Sequence, residues 1–299
     1  MTEQRFKQRL ADTAEAIESL LDGLLPAPAK AAAPRVAEAM RYAALGGGKR
    51  IRPFFVRESA RLLGADDQNA LHVGAALECV HCYSLVHDDL PAMDDDDLRR
   101  GRPTLHRAFD EATAILAGDA LLTFAFEILS QEETHTDATV RMELVRALAK
   151  TSGEAGMVGG QMLDLEAERQ DAHDMEQVLR IQRLKTGALF RFALTAGAVL
   201  SGAGQDDHAR MERYADAVGL AFQIADDILD VEATAEELGK TPGKDTAAGK
   251  ATFVDLMGLD GARRKARELV DKAIGALEPY GERASMLRAA ANFIITRRN

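Results

Sequence analysis

Apolar residues recur along this chain every three to four positions, the spacing of one helical face. Phe6, Leu10, Ile17, Leu20, Leu21 and Leu24 mark a first amphipathic helix, which Pro26-Ala27-Pro28 breaks. Pro34–Leu45 starts another, with its proline in the first turn, where the missing N–H costs nothing. Gly46-Gly47-Gly48 then reads as a loop. The pattern predicts further helices over 53–63, 68–90, 109–130, 137–150, 153–168, 174–201, 206–232, 262–278 and 281–297. Strand-like alternation is scarce, and Asp260-Gly261 falls between helical patterns rather than between strands. There is no repeat, no low-complexity tract and no linker long enough to divide the chain. Residues 1–299 are expected to form a single all-α domain, an antiparallel helical bundle whose largest irregular segment is Thr234–Lys250.

Composition narrows the function classes. Hydrophobic residues make up 46% and charged residues 28%, ordinary for a globular protein with a sizeable core. A net charge of −11 argues against a general nucleic-acid surface. Met1–Leu25 is charged and amphipathic, without the apolar stretch of a leader. The longest apolar run is read around Ala188–Leu200, interrupted by Arg191 and too short to span a bilayer. A cytoplasmic address is expected. Cys79 and Cys82 flank His81 in a Cys-x-x-Cys, but no second ligand pair and no βαβ pattern accompanies them, so they read as core residues.

Two acidic clusters carry the chemistry. Asp88-Asp89-Leu90-Pro91-Ala92-Met93-Asp94 and Asp226-Asp227-Ile228-Leu229-Asp230 each follow an apolar helical run. Crowded carboxylates repel one another unless cations sit between them. Hard oxygen ligands select Mg²⁺, Mn²⁺ or Ca²⁺, and Mg²⁺ favours one or two carboxylates plus substrate phosphates. In the second cluster Asp226 and Asp230 stand one turn apart on one helix face, with Asp227 at its edge. No regular helix aligns the first cluster. Pro91 ends or kinks it, so that Asp94 comes round beyond the break towards Asp88 and Asp89. Asp95–Asp97 fits equally well as a solvated charge run.

Cations of matching chemistry lie nearby in sequence. Gly48-Lys49-Arg50-Ile51-Arg52-Pro53 follows a glycine turn that lets backbone approach an anion, and arginine offers phosphate a two-pronged fork. It is not a Walker A loop, since Arg50 stands where Ser or Thr belongs. Arg99-Arg100-Gly101-Arg102, Lys185-Thr186-Gly187 and Lys240 complete the set. His81 lies two turns before Asp88 on nearly the same face.

Taken together, these segments resemble the short-chain trans-prenyltransferases, in their bacterial, farnesyl diphosphate-forming branch. The resemblance rests on Gly47–Pro53, Glu78–Arg100 (ECVHCYSLVHDDLPAMDDDDLRR), Gly118-Asp119-Ala120-Leu121, Lys185-Thr186-Gly187 and Phe222–Asp230 (FQIADDILD), in that order. It implies a helical bundle around a deep apolar cavity, a homodimer, and three Mg²⁺ ions bridging an allylic diphosphate to both acidic walls. On the same basis Asp88 and Asp94 would hold two metals and Asp226 the third, with Asp89, Asp227 and Asp230 in support. Lys49, Arg52, His81 and Arg100 would bind isopentenyl diphosphate. Arg99, Lys185, Thr186, Gln223 and Lys240 would contact the allylic diphosphate.

The implied reaction needs no protein nucleophile. Metal ions and fixed cations neutralise the departing diphosphate; the allylic cation is attacked by the isopentenyl double bond, and loss of a proton restores an alkene. Thr234–Lys250 is the candidate lid that keeps water out. Tyr83, with Ser84 beside it, is the candidate floor: it precedes Asp88 by five residues, ~7.5 Å along a helix axis, and an ordinary core aromatic is the alternative. A farnesyl product is expected, with a geranylgeranyl product as the runner-up. A terpene cyclase would leave the second diphosphate site idle. An HD-type phosphohydrolase, suggested by His87-Asp88 with His72 upstream, would leave the second acidic cluster idle. A non-catalytic subunit on the same scaffold would be expected to lack the acidic clusters.

Overall fold

The computed structural model describes residues 2–168, 174–232 and 252–297. They form thirteen α-helices among the described residues: α1 (Thr2–Leu24), α2 (Pro34–Ala44), α3 (Ile51–Leu63), α4 (Asp67–Asp88), α5 (Leu105–Ala108), α6 (Glu111–Ser130), α7 (Ala138–Ser152), α8 (Met157–Ala167), α9 (Met175–Gln182), α10 (Ala188–Ser201), α11 (Gln205–Glu232), α12 (Phe253–Ala276) and α13 (Ser285–Thr296). A two-residue ladder, β1 (Leu98–Arg99) against β2 (Arg102–Pro103), is the only sheet among them. This all-α bundle matches the fold class the periodicity predicts.

Helix α4 is the axis of the molecule. Asp66 caps it by accepting from the Gln68 and Asn69 amides at 2.8 and 3.2 Å, and Asp67 complements the helix dipole in the first turn. Its apolar residues lie all round the helix rather than in a stripe, so it is enclosed by α1, α2, α3, α6 and α10. Leu77 and Val80 are fully buried, each contributing roughly 1.5–3 kcal/mol. Helices α10, α11 and α12, packed in succession, complete the wall, and one hydrophobic core runs through the described bundle.

Several predicted helices differ in detail, each for a local reason. The run 174–201 is not one helix: a π-helical turn at Arg183–Gly187 separates α9 from α10. The run 109–130 begins only after Asp110, whose carboxylate accepts from the Thr113 amide at 2.7 Å and starts α6. Gly153 and Gly156 delay α8. Helix α12 begins nine residues before the expected 262, at a capping box between Thr252 and Asp255, and bends at Gly258, where φ is 71°. The longest apolar helix is α6, not the 188–200 run; it has 20 residues and a mean hydropathy of 1.7 over its most apolar stretch, enough to cross a membrane by length and composition. It packs against α2 and α4 within the bundle. Cys79 and Cys82 are buried free thiols, as expected of core residues.

Candidate active site

The first acidic segment folds as the proline predicts. Regular helix stops at Asp88, and the chain turns back through Pro91 until the Asp94 amide donates to the Asp88 carbonyl at 2.8 Å. Asp95 adopts φ 47° to close the turn. Asp89 is 3% exposed and accepts from Arg99 Nε at 3.0 Å and from Arg99 Nη2. Asp96 also faces Arg99, while Asp95 and Asp97 pair with Arg107. The run Asp95–Asp97 therefore braces the hairpin instead of merely facing water. Burial, then the neighbouring carboxylates of Asp94 and Asp89, push Asp88 up to about 6, against the pull of Lys185 and Arg99.

The second segment lies on unbroken α11. Asp227 is buried and accepts from the Phe253 amide at 2.7 Å and from Gln223 Nε2 at 3.2 Å, which ties α11 to the start of α12. Asp226 accepts from Arg297 Nη2, whose guanidinium lies 3.9 Å from the Phe222 ring centre.

A cavity of about 470 Å³ opens beside the first segment, and none of Asp226–Asp230 lines it. Asp88, Lys185 and Thr186 line it, as do Arg52 and His81; Tyr83, Ser84, Met157 and Leu189 form its less polar wall. Lys185 Nζ donates to Asp164 at 2.5 Å, and Thr186 Oγ1 donates to Gln223 Oε1 at 3.1 Å. The π-turn thus links α8 to α11. Tyr83 is 5% exposed, stacks edge-on against His87 at 5.7 Å and is held up to about 12 by burial and by Asp88.

The glycine loop divides its three cations. Arg50, in the left-handed region at φ 49°, turns inward to Glu78 and Glu18 at 2.6 Å each and to the Ala44 carbonyl. It pins the loop and is not available to a substrate. Arg52 instead reaches the cavity, with Nη1 3.4 Å from His81 Nε2 and its guanidinium over Phe190. Burial, reinforced by the Arg52 and Arg100 charges, holds His81 well below its ordinary value, so its ring is neutral at pH 7. Partial burial and the Arg297 charge lower Lys49, against Asp226. Arg99 and Arg100 do not line the main cavity; they flank a narrow crevice of about 50 Å³ beside Tyr42, and Arg100 donates to the Gly47 carbonyl. Lys240 and the rest of Thr234–Lys250 lie outside the described residues.

Three residues escape the sequence reading. Asp164, Gln161 and Arg297 hold or face predicted site residues: Asp164 grips Lys185, Arg297 grips Asp226, and Gln161 lines the cavity with its Oε1 buried and unpartnered. The spacing Gly160-Gln161-x-x-Asp164 places the first two on one face of α8, a signal that was available. The terminal Arg297-Arg298 pair gives no such cue.

Among the described residues no three His, Cys, Asp or Glu side chains close round one point. Magnesium suits such a site, because it takes few carboxylates and leaves positions for phosphate oxygens. The raised Asp88 marks a carboxylate whose charge lacks full compensation, which a divalent cation would supply. Carboxylates at one end, fixed cations beside them and an apolar chamber beyond define an enzyme that ionises an organic diphosphate away from water.

A profile described as polyprenyl synthetase matches residues 33–290. The chain belongs to that family, a family of prenyltransferases. It is 48% identical over 267 residues to the farnesyl diphosphate synthase of Escherichia coli K12, covering 88% of this chain and 89% of that one. The apo crystal structure of an FPP/GFPP synthase from Zymomonas mobilis superposes with a TM-score of 0.89 at 49% identity, covering 98% and 99% of the two chains. The geranyltransferase of Helicobacter pylori, complexed with magnesium and isoprenyl diphosphate, superposes with a TM-score of 0.82 at 32% identity over 97% and 96%.

Proposed function

We propose that this protein condenses isopentenyl diphosphate head-to-tail with dimethylallyl or geranyl diphosphate, releasing diphosphate and giving (2E,6E)-farnesyl diphosphate. One observation carries the reading: a single cavity runs from Asp88, Lys185 and Thr186 to Arg52 and His81, and is bounded by Tyr83. Two diphosphates and one growing prenyl chain need such a layout.

Asp88 and Asp94 from one wall and Asp226 from the other would hold three Mg²⁺ ions, which neutralise charge on the leaving diphosphate. Lys185 and Thr186, with Gln223 and Arg99, orient the allylic diphosphate. Lys49, Arg52, Arg100 and neutral His81 hold the homoallylic one, His81 donating a hydrogen bond without needing a proton from solution. Asp89, Asp227 and Asp230 support these groups. The apolar wall excludes water from the cation, and Tyr83 with Ser84 sets chain length. Tyr83→Ala should move products towards longer prenyl chains; an unchanged distribution of alcohols after phosphatase treatment would remove that assignment. A longer natural product is the second reading, favoured by the double naming of the Zymomonas mobilis enzyme.

Exposed Ile115 and Leu116 on α6, at 44% and 55%, support a homodimer, which sedimentation equilibrium tests. Net charge −11 fits a cytoplasmic enzyme with neither nucleic acid nor membrane as partner. The decisive assay incubates the purified chain with labelled isopentenyl diphosphate and each primer, with and without Mg²⁺. Phosphate release without a carbon–carbon bond would overturn the proposal.

A further inference from the structure

We propose that Gly160 is a positioning residue: it seats the π-turn at 183–187 so that Lys185 and Thr186 enter the cavity side by side. The inference rests on the reading above that these two residues hold the allylic diphosphate.

A π-turn is a rare, poorly bonded form of helix and persists where packing holds it. Here two glycines close on it from opposite sides. On α8, a Cβ at Gly160 would lie 2.6 Å from Lys185 Cα and 2.7 Å from the Leu184 carbonyl carbon, and nearer still to the Lys185 amide nitrogen. These are backbone atoms, which cannot swing aside as a side chain can. On α11, a Cβ at Gly219 would lie 3.3 Å from Gly187 Cα, a tighter approach than ordinary contact.

The seat and the electrostatics come from the same edge of α8. Asp164 follows Gly160 by one turn on the same face, and its carboxylate takes the Lys185 ammonium at 2.5 Å. Across the turn, Thr186 bonds Gln223 of α11 at 3.1 Å. In a π-turn successive side chains diverge less than in an α-helix, because more residues share each revolution. Neighbouring residues can then line one cavity, as Lys185 and Thr186 do. Any side chain at 160 pushes that backbone away, carrying both groups out of register with the carboxylates of the α4 tip.

The test compares Gly160→Ala with Gly197→Ala. In the latter a new Cβ meets the Ser59 carbonyl carbon at 2.5 Å, an equal backbone clash away from the cavity. Both should lower Tm. Of these two, Gly160→Ala alone should raise KM for the allylic diphosphate, by about tenfold or more, with KM for isopentenyl diphosphate essentially unchanged. Gly219→Ala, pressing from the opposite side, should raise the same KM by less. Lys185→Ala separates the layers of the argument. If it leaves the allylic KM unaltered, the assignment of Lys185 is wrong. If it raises that KM while Gly160→Ala, folded, does not, the seat is overturned. Should Gly160→Ala fail to fold, unchanged kinetics in Gly219→Ala overturn it equally.

Discussion

The two acidic walls are built in opposite ways. The α4 wall supplies its own support: Arg99 and Arg107, ten residues or so downstream, brace Asp89, Asp95, Asp96 and Asp97. The α11 wall borrows its support from afar, taking Arg297 for Asp226 and the Phe253 amide for Asp227. One wall is a local motif that folds with its hairpin. The other is complete only when the last helices have docked.

That contrast can be broken or sharpened by experiment. The largest effect is expected for Asp88→Ala and Asp226→Ala, each lowering kcat/KM by about 10³-fold in a pyrophosphate-release assay while far-UV circular dichroism is retained. Full activity in either variant would leave a single working wall. A smaller effect separates support from ligation in urea unfolding of metal-free protein. Asp89→Asn strands Arg99 in a largely buried pair and should cost about 2 kcal/mol. Asp226→Asn leaves the largely buried Arg297 side chain its stack on the Phe222 ring and its bond to the Phe222 carbonyl, and should cost less, about 1 kcal/mol. Equal costs would erase the distinction between a self-braced wall and a borrowed one.

The smallest effect concerns pH. Asp88 sits at about 6 in the folded protein, above the ordinary 3.8. Between those values the folded state binds more protons than the unfolded one, so this group's contribution to stability falls as pH rises. Asp88→Asn should therefore stabilise the metal-free protein by about 1–2 kcal/mol above pH 6 and by nothing below pH 4. A gain independent of pH would mean that repacking, not charge, is responsible. Magnesium should shrink the difference by relieving the wild-type carboxylate.

The same contrast explains what the sequence could reveal. Pro91 and the Asp88–Asp94 spacing announce a turned-back acidic segment, and the structure closes it with the Asp94-to-Asp88 hydrogen bond. Periodicity likewise foretells the bundle, because each helix must bury one face. The π-turn stays hidden, since one extra residue within 174–201 barely alters an apolar repeat, and the Gly160 backbone that packs against it lies on another helix. Arg50 sits within a cationic run that suits an anion, yet Glu78 and Glu18 claim it through the tertiary fold. Arg297 is invisible for the same reason: it acts on Asp226, a residue distant in the chain.

Tyr83 and Asp88 share one uninterrupted rod, α4, buried on most sides. On the proposed reading, the head-group anchor and the chamber's end-stop would therefore move as a single rigid gauge. Trimming the stop would lengthen the lipid by whole five-carbon increments while leaving the chemistry at the other end untouched. Selection could thus retune which isoprenoid is delivered through a single codon, without rebuilding the catalyst.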